Sequence, residues 1–184
     1  MKNSSMYDIF MFPLEKLLLQ KLRSQLISNA YGEVLEIAFA TGVNMPHYDF
    51  TKVHSLHALD IEDTMEHFDD VQYHISSAEK LPFEDASFDC VTMTLALCSI
   101  ENSTKAIQEI HRILKPGGLY IFLEHQQADG KILKRIFNTI NPVWKKRTGG
   151  CELIKESLKQ IQKEPFSVSH AQKGVFHYGI ATKD

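Results

Sequence analysis

A chain of 184 residues, 43% of them apolar, is long enough to bury one substantial core and lies in the size range of a single domain. With a net charge of −3 and basic residues that cluster only at Lys145, Lys146 and Arg147, it lacks the electrostatic footprint of a nucleic-acid binder. Three cysteines, Cys90, Cys98 and Cys151, are odd in number and form no CxxC arrangement, so no metal site is expected and a reducing, cytoplasmic compartment fits best.

Near the N-terminus, Ile9 to Leu19 is apolar but interrupted by Pro13, Glu15 and Lys16, too short and too charged to span a bilayer. It also lacks the basic start and small-residue cleavage site of a secretory signal. Leu14, Leu17, Leu18, Leu22, Leu26 and Ile27 recur at helical spacing, which predicts an amphipathic helix from Pro13 to Ser28 inside an N-terminal helical cap over 1–30. Shallow peripheral contact with a membrane is the alternative use of that face.

After Asn29-Ala30-Tyr31-Gly32, the run from Glu33 to Ala38 reads as a buried strand entering a tight loop, Phe39-Ala40-Thr41-Gly42. Val53 to Ile61, Val71 to Ile75, Phe88 to Met93 and Leu119 to Glu124 are further short apolar runs. Ser103 to Leu114 places Ala106, Ile107, Ile110, Ile113 and Leu114 on one helical face and stops at Lys115-Pro116-Gly117-Gly118. Strands alternating with helices imply a parallel sheet with right-handed crossovers. Lys131 to Ile140 reads as a helix ending at Asn141-Pro142, and Glu152 to Lys163 as another. Phe166 to Ser169 and Gly174 to Ala181 read as closing strands. No repeat or linker marks a second domain, so 1–184 is read as one.

A loop after the first strand, followed about 20 residues on by a strand ending in a carboxylate, suits a nucleoside ligand. Loop N–H groups approach the ligand while the acid takes its ribose hydroxyls. Here the loop is Ala38 to Gly42 and the acid is Asp60; an ordinary strand–helix turn with a strand-end Asp is the plainer alternative.

Four motifs in order carry a resemblance. Val34-Leu35-Glu36-Ile37-x-x-x-Thr41-Gly42 resembles motif I of class I S-adenosylmethionine-dependent methyltransferases, of the methyltransferase type 11 group. Ser77 to Phe83 resembles their DAEDLPF segment, Phe88-Asp89-Cys90-Val91 their fourth strand, and Leu114 to Gly118 their LKPGG turn. Cys98 to Glu101, Phe122 to His125, Asn141-Pro142-x-Trp144 and Gly149-Gly150-Cys151 bring the chain nearest to the alkyl-thiol methyltransferase-like proteins, and more loosely to the ubiquinone/menaquinone C-methyltransferases. It looks like a soluble relative, without the animal enzymes' hydrophobic anchor.

The resemblance implies a Rossmann-like doubly wound α/β fold, a seven-stranded sheet in the order 3-2-1-4-5-7-6, with S-adenosylmethionine as cofactor and a substrate lid over 125–165. It places Glu36 under the cofactor's methionine end, Ala38, Ala40, Thr41 and Gly42 in the cofactor loop, Asp60 on the ribose, Ile61 on the adenine face, Ser77 and Ala78 at the adenine edge, and Leu95 beside the methionine moiety. Three departures stand out. Ala38 and Ala40 replace glycines, Ser77 replaces an aspartate, and the crossover through Glu62 to Asp70 holds only about two helical turns. Because left-handed alanine is costly, Ala40 is expected to relax to negative φ.

Methyl transfer needs alignment of the acceptor and, for some acceptors, removal of a proton. His47, Tyr48, Asp49, Glu124 and His125 are candidate bases, with Glu124 and His125 at the carboxyl end of strand five preferred. Cys98 and Cys151 read as packing residues. Trp144 lines a substrate pocket or packs a lid, and Tyr7-Asp8 closes over the site or frays. The acceptor is expected to be small and apolar, with a thiol, amine, phenol or lipid headgroup all open. The rival is a degenerate methyltransferase fold acting as a non-catalytic accessory protein.

Overall fold

Seven strands, β1 (Gly32–Ile37), β2 (Val53–Asp60), β3 (Val71–Ile75), β4 (Phe88–Thr94), β5 (Leu114–His125), β6 (Phe166–Lys173) and β7 (Phe176–Lys183), form one sheet in the order β3-β2-β1-β4-β5-β7-β6. The computed structural model describes residues 19–63, 65–127, 130–148 and 150–184. Strands β1 to β5 pair in parallel, whereas β7 runs antiparallel between β5 and β6. This is the expected Rossmann-like topology.

Alternation along the strands decides which face each residue covers. Leu35, Ile37, Val91, Met93, Tyr120 and Phe122 point to one side, where α2 (Ser103–Ile113) packs Ala106, Ile107, Ile110 and Ile113 against them. Val34, Cys90, Ile121 and Leu123 point to the other, where α1 (Gln20–Ile27) brings Leu22, Leu26 and Ile27. Both faces of the central strands are therefore buried, as near-continuous apolar runs require. Asn102 caps α2, its side chain accepting the Lys105 N–H at 3.1 Å.

The structure corrects the reading of three connections. Among the described residues of the β2–β3 crossover there is no helix; Met65 and Phe68 instead pack against Phe39, Ala58 and Tyr73. With so few residues between two strands, anchoring the aromatic side chains takes precedence over closing a helical turn. α3 (Lys131–Arg147) continues through Asn141-Pro142 rather than ending there, because Asn141 is buried and its Oδ1 accepts the Leu153 N–H at 2.8 Å. α4 (Ser157–Ile161) is shorter than Glu152 to Lys163, since the Glu152 N–H is held by the Cys98 carbonyl at 3.1 Å. Residues 13–18 of the predicted N-terminal helix, and Tyr7-Asp8, lie outside the described residues. No helix among the described residues is long and apolar enough to cross a membrane.

Candidate functional site

The carboxyl ends of β1, β2, β4 and β5 gather most of the residues singled out in the sequence. Beneath them lies a buried polar network. Glu36, on β1, accepts hydrogen bonds from Asn44 Nδ2 at 2.8 Å and Tyr48 Oη at 2.7 Å, one on each oxygen. Tyr48 Oη also lies 2.7 Å from Thr92 Oγ1, and Arg23 of α1 donates to Asn44 Oδ1 at 2.8 Å and to Thr94 Oγ1. Burial pushes the Glu36 carboxyl up to about 7 against the pull of those two donors and the Arg23 charge. Glu36 thus braces Asn44 and Tyr48 from below. Periodicity alone marked β1 as apolar and gave no hint of Arg23 or Asn44 as partners.

The loop above it keeps a left-handed path. Ala38 has φ +59°, Ala40 +47° and Gly42 +67°, so the expected relaxation of Ala40 to negative φ does not occur. Tertiary contacts hold the strain. Ala38 and Phe39 both donate to the Leu59 carbonyl, Glu66 donates to the Ala40 carbonyl, and Ala40 donates to Asp60 Oδ2 at 3.1 Å. The Phe39 ring is buried edge-on against Phe68 and Tyr73, at 6.0 and 5.9 Å between centroids. Gly42 cannot carry a side chain, as its Cβ would lie 2.6 Å from the Phe68 ring. Thr41 is exposed beside it.

Asp60, half-buried at the end of β2, also accepts its neighbour Ile61's N–H at 2.8 Å. The Ile61 side chain is 69% exposed. Ser77 Oγ accepts the Glu79 N–H at 3.1 Å, a local turn that occupies the hydroxyl, and Ala78 is buried. Arg112 and Glu109 on α2 fix this segment by bonding the Leu81 carbonyl and N–H.

After β4, Leu95 takes φ +56° with its N–H on the Leu123 carbonyl at 2.7 Å. Ala96 and Leu97 then donate to Glu124 Oε1 at 3.1 and 3.0 Å. Burial raises the Glu124 carboxyl to about 7, opposed by the Leu97 N–H, the His125 charge and the Ala96 N–H. His125 is buried, with Nε2 2.9 Å from Cys151 Sγ; Cys98 Sγ lies 3.2 Å and Trp144 Nε1 3.5 Å from the same sulfur. The Cys98 thiol, then His125 and Trp144, hold Cys151 well below the usual thiol range against burial. Burial opposes charging His125, but the Cys151 sulfur outweighs it and raises the imidazole. The packing role read for Cys98 and Cys151 is therefore incomplete: they meet His125 in one cluster. Of the other candidate bases, Tyr48 belongs to the Glu36 network and Asp49 accepts from the Thr51 N–H and hydroxyl.

The sheet order, the loop after β1 and the strand-end acid together define a Rossmann-like doubly wound α/β domain. Residues 35–122 match the Methyltransf_11 family model, a methyltransferase domain. Rat thiol S-methyltransferase TMT1B is 41% identical over 87 residues, 45% of this chain and 34% of that protein. The ubiquinone/menaquinone biosynthesis C-methyltransferase UbiE of Brucella anthropi is 33% identical over 102 residues, 53% of this chain and 39% of that protein. The matched stretches thus span little more than a third of these relatives. In fold, a SAM-dependent methyltransferase from Thermotoga maritima superposes with a TM-score of 0.73 at 19% identity, covering 98% of this chain and 96% of its own. An S-adenosylmethionine dependent methyltransferase from Mesorhizobium loti gives 0.66 at 14% identity, covering 88% and 96%.

Proposed function

We propose that the chain binds S-adenosylmethionine across the carboxyl ends of β1, β2 and β4 and directs methyl transfer to a small apolar acceptor, a thiol first of all, at the ends of β4 and β5. The observation that carries this reading is the left-handed backbone of Ala38 and Ala40. Such alanines cost roughly 1–2 kcal/mol each and persist where surrounding structure imposes them, commonly at sites in use.

The residues present suit the cofactor. Asp60 gives one lone pair of each oxygen to a backbone N–H and keeps others for vicinal ribose hydroxyls. Exposed Ile61 offers an apolar face to adenine, with Ser77 and Ala78 at its edge. Thr41, Gly42 and Leu95 supply the walls around the methionine end, above the Glu36 floor. When bound, the sulfonium supplies an already activated methyl group. Glu124 holds the Ala96 and Leu97 amides in place, and His125, facing Cys151, orients the acceptor end rather than acting as a free base.

The thiol is favoured by the similarity to the thiol S-methyltransferase TMT1B. An apolar acceptor, or peripheral contact with a membrane surface, is favoured by the exposure of Ile132, Leu133, Ile136, Ile140 and Val143 on α3. Three cysteines in thiol form suit a reducing, cytoplasmic setting. The second reading, a non-catalytic accessory protein, is favoured by the prior engagement of the Ala40 N–H and Ser77 hydroxyl. Calorimetric titration with S-adenosylmethionine and with its demethylated product decides between them, followed by transfer assays on an alkyl thiol, an amine and a phenol. Binding with thiol methylation supports the first reading; absence of binding to either compound leaves the second.

A further inference from the structure

Three segments far apart in the chain deliver donor atoms to one buried point. Cys98 follows β4, His125 ends β5 and Cys151 follows α3. One donor atom from each lies within 4.8 Å of the others, and the side chains are 0%, 8% and 4% exposed. We propose that Cys98, His125 and Cys151 bind one zinc-type divalent ion in a tetrahedral site, and that this ion pins the segment after α3 to the carboxyl edge of the sheet.

The donor chemistry selects the ion. Two sulfurs and an imidazole suit zinc and poorly suit magnesium or calcium, which take oxygen ligands. Distances fit with a small adjustment. Zinc bonds of about 2.3 Å to sulfur and about 2.0–2.1 Å to nitrogen place tetrahedral ligands roughly 3.8 Å apart for two sulfurs and roughly 3.5 Å apart for sulfur and nitrogen. The separations here are 3.2 Å between the two sulfurs and 2.9 Å between Cys151 Sγ and His125 Nε2. These two pairs each have to open by about 0.6 Å, and the third pair, Cys98 with His125, lies within 4.8 Å.

The alternatives explain less. Ordinary apolar packing separates even carbons by about 3.5–4.0 Å, and a hydrogen bond from the Cys98 thiol accounts for the 3.2 Å approach of the two sulfurs but does not by itself bring the His125 imidazole to the same sulfur. A disulfide requires sulfurs about 2.05 Å apart and an oxidant to take two electrons. Trp144 Nε1–H approaches Cys151 Sγ at 3.5 Å, the kind of outer contact that orients and tunes a ligating sulfur. Two further bonds set the segment in place: the Glu152 N–H on the Cys98 carbonyl and the Leu153 N–H on Asn141 Oδ1. The ion completes a clasp these bonds begin. A motif search misses it because Cys98 and Cys151 are 53 positions apart, and His125 and Cys151 26.

The test uses the whole chain, reduced and stripped with a chelator, then titrated with Co2+ as a spectroscopic probe and with Zn2+ while metal content and melting temperature are followed. The expected result is one equivalent of metal, a sulfur-to-cobalt charge-transfer band with the strong ligand-field bands of tetrahedral cobalt, and a higher melting temperature with zinc. Cys98→Ser and Cys151→Ser should each weaken binding at least tenfold. His57→Gln, at the separate His57–His74 contact of 3.0 Å, should leave it unchanged. A folded protein that takes up no metal overturns the proposal. So does cobalt bound without sulfur charge transfer, or loss of binding in His57→Gln with retention in the cysteine variants. Because the unmodified protein's spectrum reports sulfur ligation directly, the proposal remains testable if a cysteine variant fails to fold.

Discussion

The Ala40 backbone N–H points at Asp60 Oδ2 across 3.1 Å, tying the loop after β1 to the end of β2. One carboxylate thereby holds the loop's shape while presenting its remaining lone pairs outward. Under the proposed function, loop geometry and ribose recognition are coupled through that one side chain.

Asp60→Ala should therefore weaken S-adenosylmethionine binding by about 1–3 kcal/mol, five-fold to more than a hundred-fold, while the fold persists because the side chain is only half-buried. Calorimetry on the two proteins, with circular dichroism as the folding control, measures this. Equal affinity would remove Asp60 from the ribose site.

At Ala40 the left-handed φ of +47° fixes the sign of the glycine substitution. Ala40→Gly removes roughly 1–2 kcal/mol of strain and adds back about 0.4–1 kcal/mol of unfolded-chain entropy. The net gain, from near zero to about 1.6 kcal/mol, should raise the melting temperature by up to about 3–6 °C. A lower melting temperature would mean that Ala40 is at ease in this loop.

Phe39 anchors the same loop from beneath. Phe39→Ala should cost about 3–5 kcal/mol in urea unfolding and, where the variant remains folded, loosen cofactor binding as the loop loses its tether. Cofactor affinity unchanged in a folded Phe39→Ala protein would show that the backbone bonds to Leu59 and Asp60 suffice.

Glu36 predicts a pH dependence. Its carboxyl sits at about 7 in the folded protein against an ordinary 4.5, so the folded state holds the proton more tightly than the unfolded chain. The stability this contributes is fully present below about pH 4.5, falls as pH rises through the window up to about 7, and is flat above it. The fall is on the order of 3 kcal/mol. Comparing urea stabilities of the parent and Glu36→Gln at about pH 5 and about pH 8 isolates it, since the variant has no proton to lose there. Parallel pH profiles would place the Glu36 titration at its unfolded value.

Much of the architecture is legible in the chain itself. The apolar runs at Glu33 to Ala38, Val53 to Ile61 and Phe88 to Met93 and the helical face of Ser103 to Leu114 are local patterns, and local patterns select strands and helices. Motif order then implied the sheet order. The carboxylate of Asp60, at a strand end, was readable for the same reason.

Tertiary structure alone decided the rest. Whether Ala38 and Ala40 remain left-handed depends on Leu59, Glu66, Asp60 and the aromatic slot around Phe39, all contributed by other segments. Among its described residues the β2–β3 crossover packs Met65 and Phe68 without a helix, and α3 passed Pro142 because Asn141 found Leu153. The meeting of Cys98, His125 and Cys151 is the furthest from sequence. Periodicity reports which face a residue occupies within its own element. It carries no information on which residues of separate elements come to share a point, because their separation is set by how strand ends and the segment after α3 pack together.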